Sequence, residues 1–222
     1  MRGVKARTLT AAFSQDSKDQ EHFKDMYGRF ISHCGILKMN KEHKYNTLSP
    51  GFIDEVYRGV ESMNQDRQAR VIYLSSRKHE QWSNGTDFKH MRHMSKEENF
   101  DQVAAYIEKI YQLQTRVASM NKPIVAVATG HAWNSGATML SACSYPMMTY
   151  NAQLAFNECT FGFVPHSGAT YYLSRLPREF GTFMALTGLP IKGADAMRIG
   201  LVDNLIDSPA DYEHYVAEAV EA

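Results

Sequence analysis

Glu158 is the residue of this chain best placed to move a proton, because of the sequence that leads up to it. An apolar run, Ile124-Val125-Ala126-Val127, feeds a turn of small residues, Thr129-Gly130-His131-Ala132-Trp133-Asn134-Ser135-Gly136. The turn opens a helical stretch, and Asn157-Glu158 then leads to Gly162-Phe163-Val164-Pro165. A buried strand entering a small-residue turn at a helix start makes a pocket for negative charge. Amide N–H groups point outwards there, and the helix dipole adds to them. A carboxylate facing such a pocket suits acid–base work on a substrate that develops an oxyanion. The residues also admit a plainer reading, in which the turn only packs a helix on a strand and Glu158 caps nearby amides. From Lys122 to Leu173 no second acid accompanies Glu158.

The elements that must hold this turn and this acid alternate along the chain. Gly35 to Asn40 reads as a short strand, followed by a loop through His43-Lys44-Tyr45-Asn46. Ser49-Pro50 starts a helix, with a hydroxyl cap and proline in the first turn. Its apolar face is Phe52, Ile53, Val56, Tyr57, Val60 and Met63. Arg70 to Ser75 reads as a buried strand, and Ser76 to Gly85 as a loop. Ser95 to Met120 has the period of one long amphipathic helix, with Phe100, Val103, Ile107, Ile110 and Val117 on its stripe. A short helix runs from Ser135 to Cys143, and extended pieces surround Tyr150-Asn151-Ala152. Helical patterns resume at Gly168, and Leu201 to Ile206 is a last short strand. Strand–helix alternation of this kind specifies an α/β domain.

Composition sets the outer limits. The 222 residues are enough for one domain with a real core. Lysine plus arginine and aspartate plus glutamate number 24 each, so no global field points to nucleic acid. Cys34, Cys143 and Cys159 are odd in number and lack ligand spacing, which reads as reduced thiols without a disulfide frame or zinc site. The other histidines form no metal-ligand set, and the twelve methionines read as core filler. No segment approaches the roughly 18 consecutive apolar residues of a membrane span. Residues 1–18 carry Arg2, Lys5 and Arg7 with no acid before Asp16, the pattern of either a mitochondrial presequence or a disordered basic leader. Phe23, Met26, Tyr27, Phe30 and Ile31 give residues 19–34 the spacing of an amphipathic helix.

The order Asn46-Thr47-Leu48-Ser49, Ser83-Asn84-Gly85-Thr86-Asp87-Phe88-Lys89, Lys122-Pro123-Ile124, Gly130-His131-Ala132 and Gly162-Phe163-Val164-Pro165 resembles the crotonase (enoyl-CoA hydratase/isomerase) superfamily. Tyr171 to Leu176 and Ala185 to Asp195 are most similar to 3-hydroxyisobutyryl-CoA hydrolases within it. The resemblance implies a crotonase-type spiral of ββα units over residues 35–207. It also implies that 208–222 begin a C-terminal helical region that is otherwise largely missing. Two backbone donors for a thioester oxyanion then belong to Thr86 and Ser135. His43, Lys44 and Tyr45, with Asp87, Phe88 and Lys89, fall where relatives meet coenzyme A. No metal and no resident cofactor are implied, only a coenzyme A thioester as ligand.

The catalytic positions depart from the family pattern. Relatives carry three glycines where this chain has Asn134-Ser135-Gly136. Hydratases hold a water between two glutamates, of which the second matches Glu158 and the first falls at Thr138. In the hydrolases the partner of that glutamate is an aspartate, which falls at His166. Histidine is a base near neutral pH but brings no negative charge. Three readings follow from the resemblance. The chain is a degenerate member serving as a subunit of a mitochondrial assembly, the small subunit of the mitochondrial ribosome foremost, since crotonase-like hydrolases are components of some. Other protein subunits would then cover it, with RNA as a further partner. Alternatively it is a working thioester hydrolase or enoyl-CoA isomerase using Glu158, or an acyl-CoA-binding regulator.

Overall fold

The computed structural model of the chain describes residues 24–41, 44–78 and 80–221. Strands β1 (Met26–Ile31) and β2 (Cys34–Met39) form an antiparallel hairpin, with Met26 opposite Met39 and Ile31 opposite Cys34. This corrects the helix expected over 19–34. Tyr27, Phe30 and Ile31 are aromatic or β-branched residues that suit a strand, and an open edge of the sheet is there to pair with. The basic leader and residues 19–23 lie outside the described residues.

From β2 the sheet continues in parallel through β3 (Val71–Ser76), β5 (Ile124–Ala128), β7 (Tyr145–Thr149) and β10 (Asn204–Ile206), in the order β1-β2-β3-β5-β7-β10. All six residues of β3 are buried, as a central parallel strand covered on both faces requires. A second sheet stands beside the first: β4 (Gln81–Ser83), β6 (His131–Trp133), β8 (Gln153–Ala155) and β9 (Ile191–Lys192). Strands β3, β5 and β7 each turn directly into β4, β6 and β8, so the chain spirals in repeating strand–strand–helix units. Ser76 to Gly85 is therefore not all loop. A strand as short as β4 has too few residues to print an alternation on the sequence.

Helix α1 (Pro50–Gln65) buries Phe52, Ile53, Val56, Val60 and Met63 as its spacing requires, while Tyr57 stays exposed. The Ser49 hydroxyl accepts from Lys41 Nζ at 2.8 Å and does not cap the helix. The long helix expected over 95–120 is two helices, α2 (Phe88–Lys96) and α3 (Phe100–Ala118). They part at Glu97-Glu98-Asn99, where Glu98 is left-handed at φ 56°. Asp87 starts α2 as its cap, its carboxylate accepting from the His90 amide at 3.0 Å. Phe100 is exposed, whereas Ile110, Leu113, Gln114 and Val117 of α3 face the core.

Helix α4 (Ser135–Ala142) enters the centre of the molecule, followed after β8 by a 3-10 turn at Glu158–Phe161. Helices α5 (Ala169–Leu173), α6 (Phe180–Thr187) and α7 (Gly193–Arg198) complete the layer. Helix α8 (Pro209–Ala219) lies on the outer face of the larger sheet, with Val216 and Ala217 against Cys34, Ile36, Val71 and Tyr73. Its buried Glu213 holds Arg29 of β1 and Lys38 of β2 in ion pairs. The three cysteines are unpaired, and no described helix is long and apolar enough to cross a membrane.

Asn46 ties the first part of this frame to the second. Its Oδ1 accepts from the Lys41 amide at 2.8 Å, and its Nδ2 donates to Ser76 Oγ and to the Trp82 carbonyl, each at 2.9 Å. The residue is buried and left-handed at φ 47°, a conformation asparagine tolerates better than most. Asn46→Ala leaves those buried partners unpaired, and an unmade buried hydrogen bond costs on the order of 1–3 kcal/mol. The expected result is a loss of about 2–4 kcal/mol in the unfolding free energy from urea titration.

Candidate functional site

Two turns meet at the centre of the molecule, one after β4 and one before α4. Gly85, at φ 74°, lies in the first, and a Cβ there would stand 2.4 Å from the Trp133 carbonyl and 2.8 Å from the Ser135 nitrogen. Any side chain would push the two turns apart, which explains the glycine. The first turn is fixed by Ser83, whose hydroxyl donates to the Asn46 carbonyl at 2.7 Å and accepts from the Gly85 amide at 3.0 Å. The second is fixed by Trp82 Nε1 donating to the Gly136 carbonyl at 2.9 Å and Gln114 Nε2 donating to the Ser135 carbonyl at 2.8 Å. Asn134, just before α4, is held at φ 53°, a strained value for a non-glycine residue. The amides of Thr86 and Ser135, thus brought side by side, donate to no acceptor among the described residues.

The side chains of the same two residues also meet. Thr86 Oγ1 lies 2.8 Å from Ser135 Oγ and 3.0 Å from His166 Nε2, while His166 Nδ1 is hydrogen-bonded to Ser167 Oγ. Ser167 is fully buried at φ 58°. Burial lowers the His166 imidazole from its ordinary 6.5 to about 4, so it is neutral at pH 7. The edges of its ring meet Phe88 at 6.2 Å and Phe163 at 6.1 Å between centroids, and Phe88 stacks on Phe161 at 4.9 Å.

Glu158 is fully buried in the 3-10 turn, where Gly188 at the end of α6 packs against Asn157 and Cys159. Neither of its carboxylate oxygens has a hydrogen-bond partner among the described residues. Desolvation raises the carboxyl from 4.5 to about 7, and the nearby amides of Glu158 itself and His166 temper the rise. No charged side chain contributes to that shift. Thr138, one turn into α4, donates back to the Asn134 carbonyl at 3.4 Å. Thr138 and Ser167 also line a cavity of about 490 Å³ with Gln114, Ser141, Tyr171 and Tyr172.

Of the residues singled out from the sequence, the structure brings Thr86, Ser135 and His166 into one hydrogen-bonded group, and sets the His166 amide near Glu158. Asp87 is a helix cap, and Phe88 belongs to the aromatic cluster around His166. Lys44, Tyr45 and Lys89 are exposed, and His43 lies outside the described residues. No group of three potential metal ligands occurs among the described residues. Gln114 and Ser167 went unnoticed in the sequence. A polar residue on the buried stripe of α3, between Ile110 and Val117, was the available sign of Gln114. Nothing local marks Ser167, whose role comes from its neighbour's ring.

Residues 34–219 match the profile of the Enoyl-CoA hydratase/isomerase family. "Enoyl-CoA hydratase domain-containing protein 2, mitochondrial" of Bos taurus is 28% identical over 192 residues, 81% of this chain and 62% of that protein. "3-hydroxyisobutyryl-CoA hydrolase, mitochondrial" of Homo sapiens is 28% identical over 176 residues, 78% of this chain and 45% of that protein. The chain therefore spans less than two thirds of these relatives' length. Among solved structures, an enoyl-CoA hydratase from Bacillus anthracis superposes with a TM-score of 0.81 at 23% identity, covering 89% of this chain and 77% of that one. One from Shewanella pealeana gives 0.82 at 15% identity, covering 98% and 77%. At such identities the likeness shows the fold alone.

The two shifted groups oppose each other in stability. Folded Glu158 keeps its proton up to about pH 7, while the unfolded chain loses it near 4.5, so this contribution is full below 4.5 and lost as pH rises to 7. Folded His166 refuses a proton that the unfolded chain takes up below 6.5, so its contribution is lost as pH falls from 6.5 to 4. Glu158→Gln removes the first slope only. The variant is expected to gain up to about 3 kcal/mol at pH 8 and to show stability rising with pH between about 4.5 and 6.5, where the parent is flat. Urea titrations at a series of pH values read both effects.

Proposed function

The chain belongs to the enoyl-CoA hydratase/isomerase family, and we propose that it retains the family's acyl-CoA frame without the chemistry of a carboxylate pair. Its role on this reading is that of a protein subunit in a mitochondrial assembly, with the small subunit of the mitochondrial ribosome as the leading candidate. The observation that carries the proposal is the surroundings of Glu158. Thr138 and His166 occupy the positions where the resemblance places a second carboxylate. Thr138 is turned back onto its own helix, and His166 is neutral and already bonded to Thr86 and Ser167. A water between such groups is not held by two acids, and loss of one acid–base partner removes about 10²–10⁴ in rate.

The surface supports a subunit role. Phe180, Phe183 and Leu186, spaced three apart on α6, and Leu189 just beyond it are exposed, and Leu186 keeps 73% of its surface. Contiguous exposed apolar side chains of this size mark protein contacts. The mitochondrial relatives named above support the compartment.

A second reading has one observation in its favour. An unpaired buried acid poised near pH 7 suits a single-residue proton shuttle between two carbons, the chemistry of an enoyl-CoA isomerase. The tests separate the two. Purified protein is expected to show no catalytic turnover of 2-enoyl-CoA, 3-enoyl-CoA or 3-hydroxyisobutyryl-CoA. The native protein is expected to sediment at stoichiometric amount with the mitochondrial small ribosomal subunit. Turnover of 3-enoyl-CoA that disappears in Glu158→Gln establishes the isomerase instead, and a freely sedimenting monomer rules out the assembly.

A further inference from the structure

The chain Ser135 Oγ – Thr86 Oγ1 – His166 Nε2, closed by His166 Nδ1 on Ser167 Oγ, has the parts of a nucleophilic site that the carboxylate-pair chemistry does not use. A hydroxyl becomes a nucleophile when a neutral base accepts its proton and a third group holds the base in orientation. Thr86 has the base, 3.0 Å away, and Ser167 has the orienting place. When Ser167 accepts from Nδ1–H, Nε2 is left as acceptor and Thr86 must donate to it. Ser135, which touches no base, then donates to Thr86. Two non-glycine residues held at positive φ, Asn134 and Ser167, flank the group at either end, and strain of this kind collects at functional sites.

The Thr86 and Ser135 amides would serve as oxyanion donors for attack by this hydroxyl. In chymotrypsin-type proteases the nucleophile's own amide is one of the two donors. Here the Thr86 amide is unbound, the Ser135 amide is its unbound neighbour, and Gly85 allows the turns to meet. Half-buried His166 packs against Phe88 and exposed Phe163, so the base beside this hydroxyl has apolar rings around it.

We propose that Thr86 is an acyl acceptor, taking the acyl group of a coenzyme A thioester as a Thr86 ester with His166 as general base. The Thr86 oxygen bonds to the thioester carbon and the C–S bond breaks. The hydroxyl proton passes to His166 Nε2 and from there to the departing sulfur, giving one acylated protein and one free coenzyme A thiol. The inference rests on the reading that the site keeps an acyl-CoA frame without a water-activating carboxylate pair. For that reason the ester accumulates and is not hydrolysed.

Intact-protein mass spectrometry of the full chain, after incubation with acetyl-CoA or 3-hydroxyisobutyryl-CoA, tests it. The expected result is a single adduct of the acyl mass, mapped to the peptide holding Thr86 and removed by hydroxylamine, as an ester is. Thr86→Val abolishes it, and His166→Gln slows its formation by at least about 100-fold. Circular dichroism establishes that both variants are folded, and mapping on the parent protein stands without them. An unmodified parent chain, or an adduct on Cys159 or a lysine, overturns the proposal while leaving the subunit reading intact. A Thr86 adduct accompanied by Glu158-dependent release of product sustains the acyl acceptor and overturns the reading of lost turnover.

Discussion

The contact between Gly85 and the turn at Trp133 to Gly136 is the constraint on which the site depends. A methyl group at Gly85 would overlap a carbonyl and two amide nitrogens of that turn. Because nothing is there, the Thr86 and Ser135 amides come together from segments far apart in sequence. The supports on either side share one logic. Asn46, Ser83, Trp82 and Gln114 each spend a buried polar group on a backbone atom of one turn or its neighbour. Buried polar groups must find partners, so these side chains are also locators of the backbone. The spiral supplies the rest, since β4 and β6 are parallel neighbours in the small sheet and deliver their following turns to the same place.

Burial gives the two titratable groups of the site opposite tasks from one cause. Removing water disfavours charge, so the Glu158 carboxyl rises to about 7 and the His166 imidazole falls to about 4. Among the described residues neither has an ion-pair partner to reverse that. The result is a neutral base joined to a hydroxyl and an acid that titrates near neutrality, both beside a pair of unused amides. Such a site is poor at holding a water between two negative charges and well made for a hydroxyl that must lose a proton.

Much of this was legible in the residues. The buried strands around Ile72 and Ile124, the helix from Pro50 and the short helix at Ser135 follow from apolar period and turn chemistry, and the ordered motifs around Gly85, Gly130 and Gly162 point to the fold. The misreadings share a physical origin. Residues 26–31 alternate too briefly to be told from a helix face, and only the sheet edge offered by β2 decides for a strand. The period of Ser95 to Met120 conceals a break, because residues 95–99 are all polar and no apolar position marks the left-handed turn at Glu98. Asp87, which the resemblance places toward coenzyme A, also accepts from the His90 amide as the cap of α2, a role that only the folded chain reveals.

By itself the sequence determined the class of fold, the solitary state of Glu158 along its own stretch, and the identity of the groups at Thr138 and His166. Those are properties of residue type and order, which the chain carries wherever it is. The tertiary structure decided that His166 is a neutral partner of Thr86, that Ser167 hydrogen-bonds its other ring nitrogen, and that Glu158 has no hydrogen-bond partner among the described residues. Protonation state and hydrogen-bond partnership depend on what surrounds a group and how far water is excluded. Those surroundings exist only after segments from Asn46 to Gly188 have closed on one another.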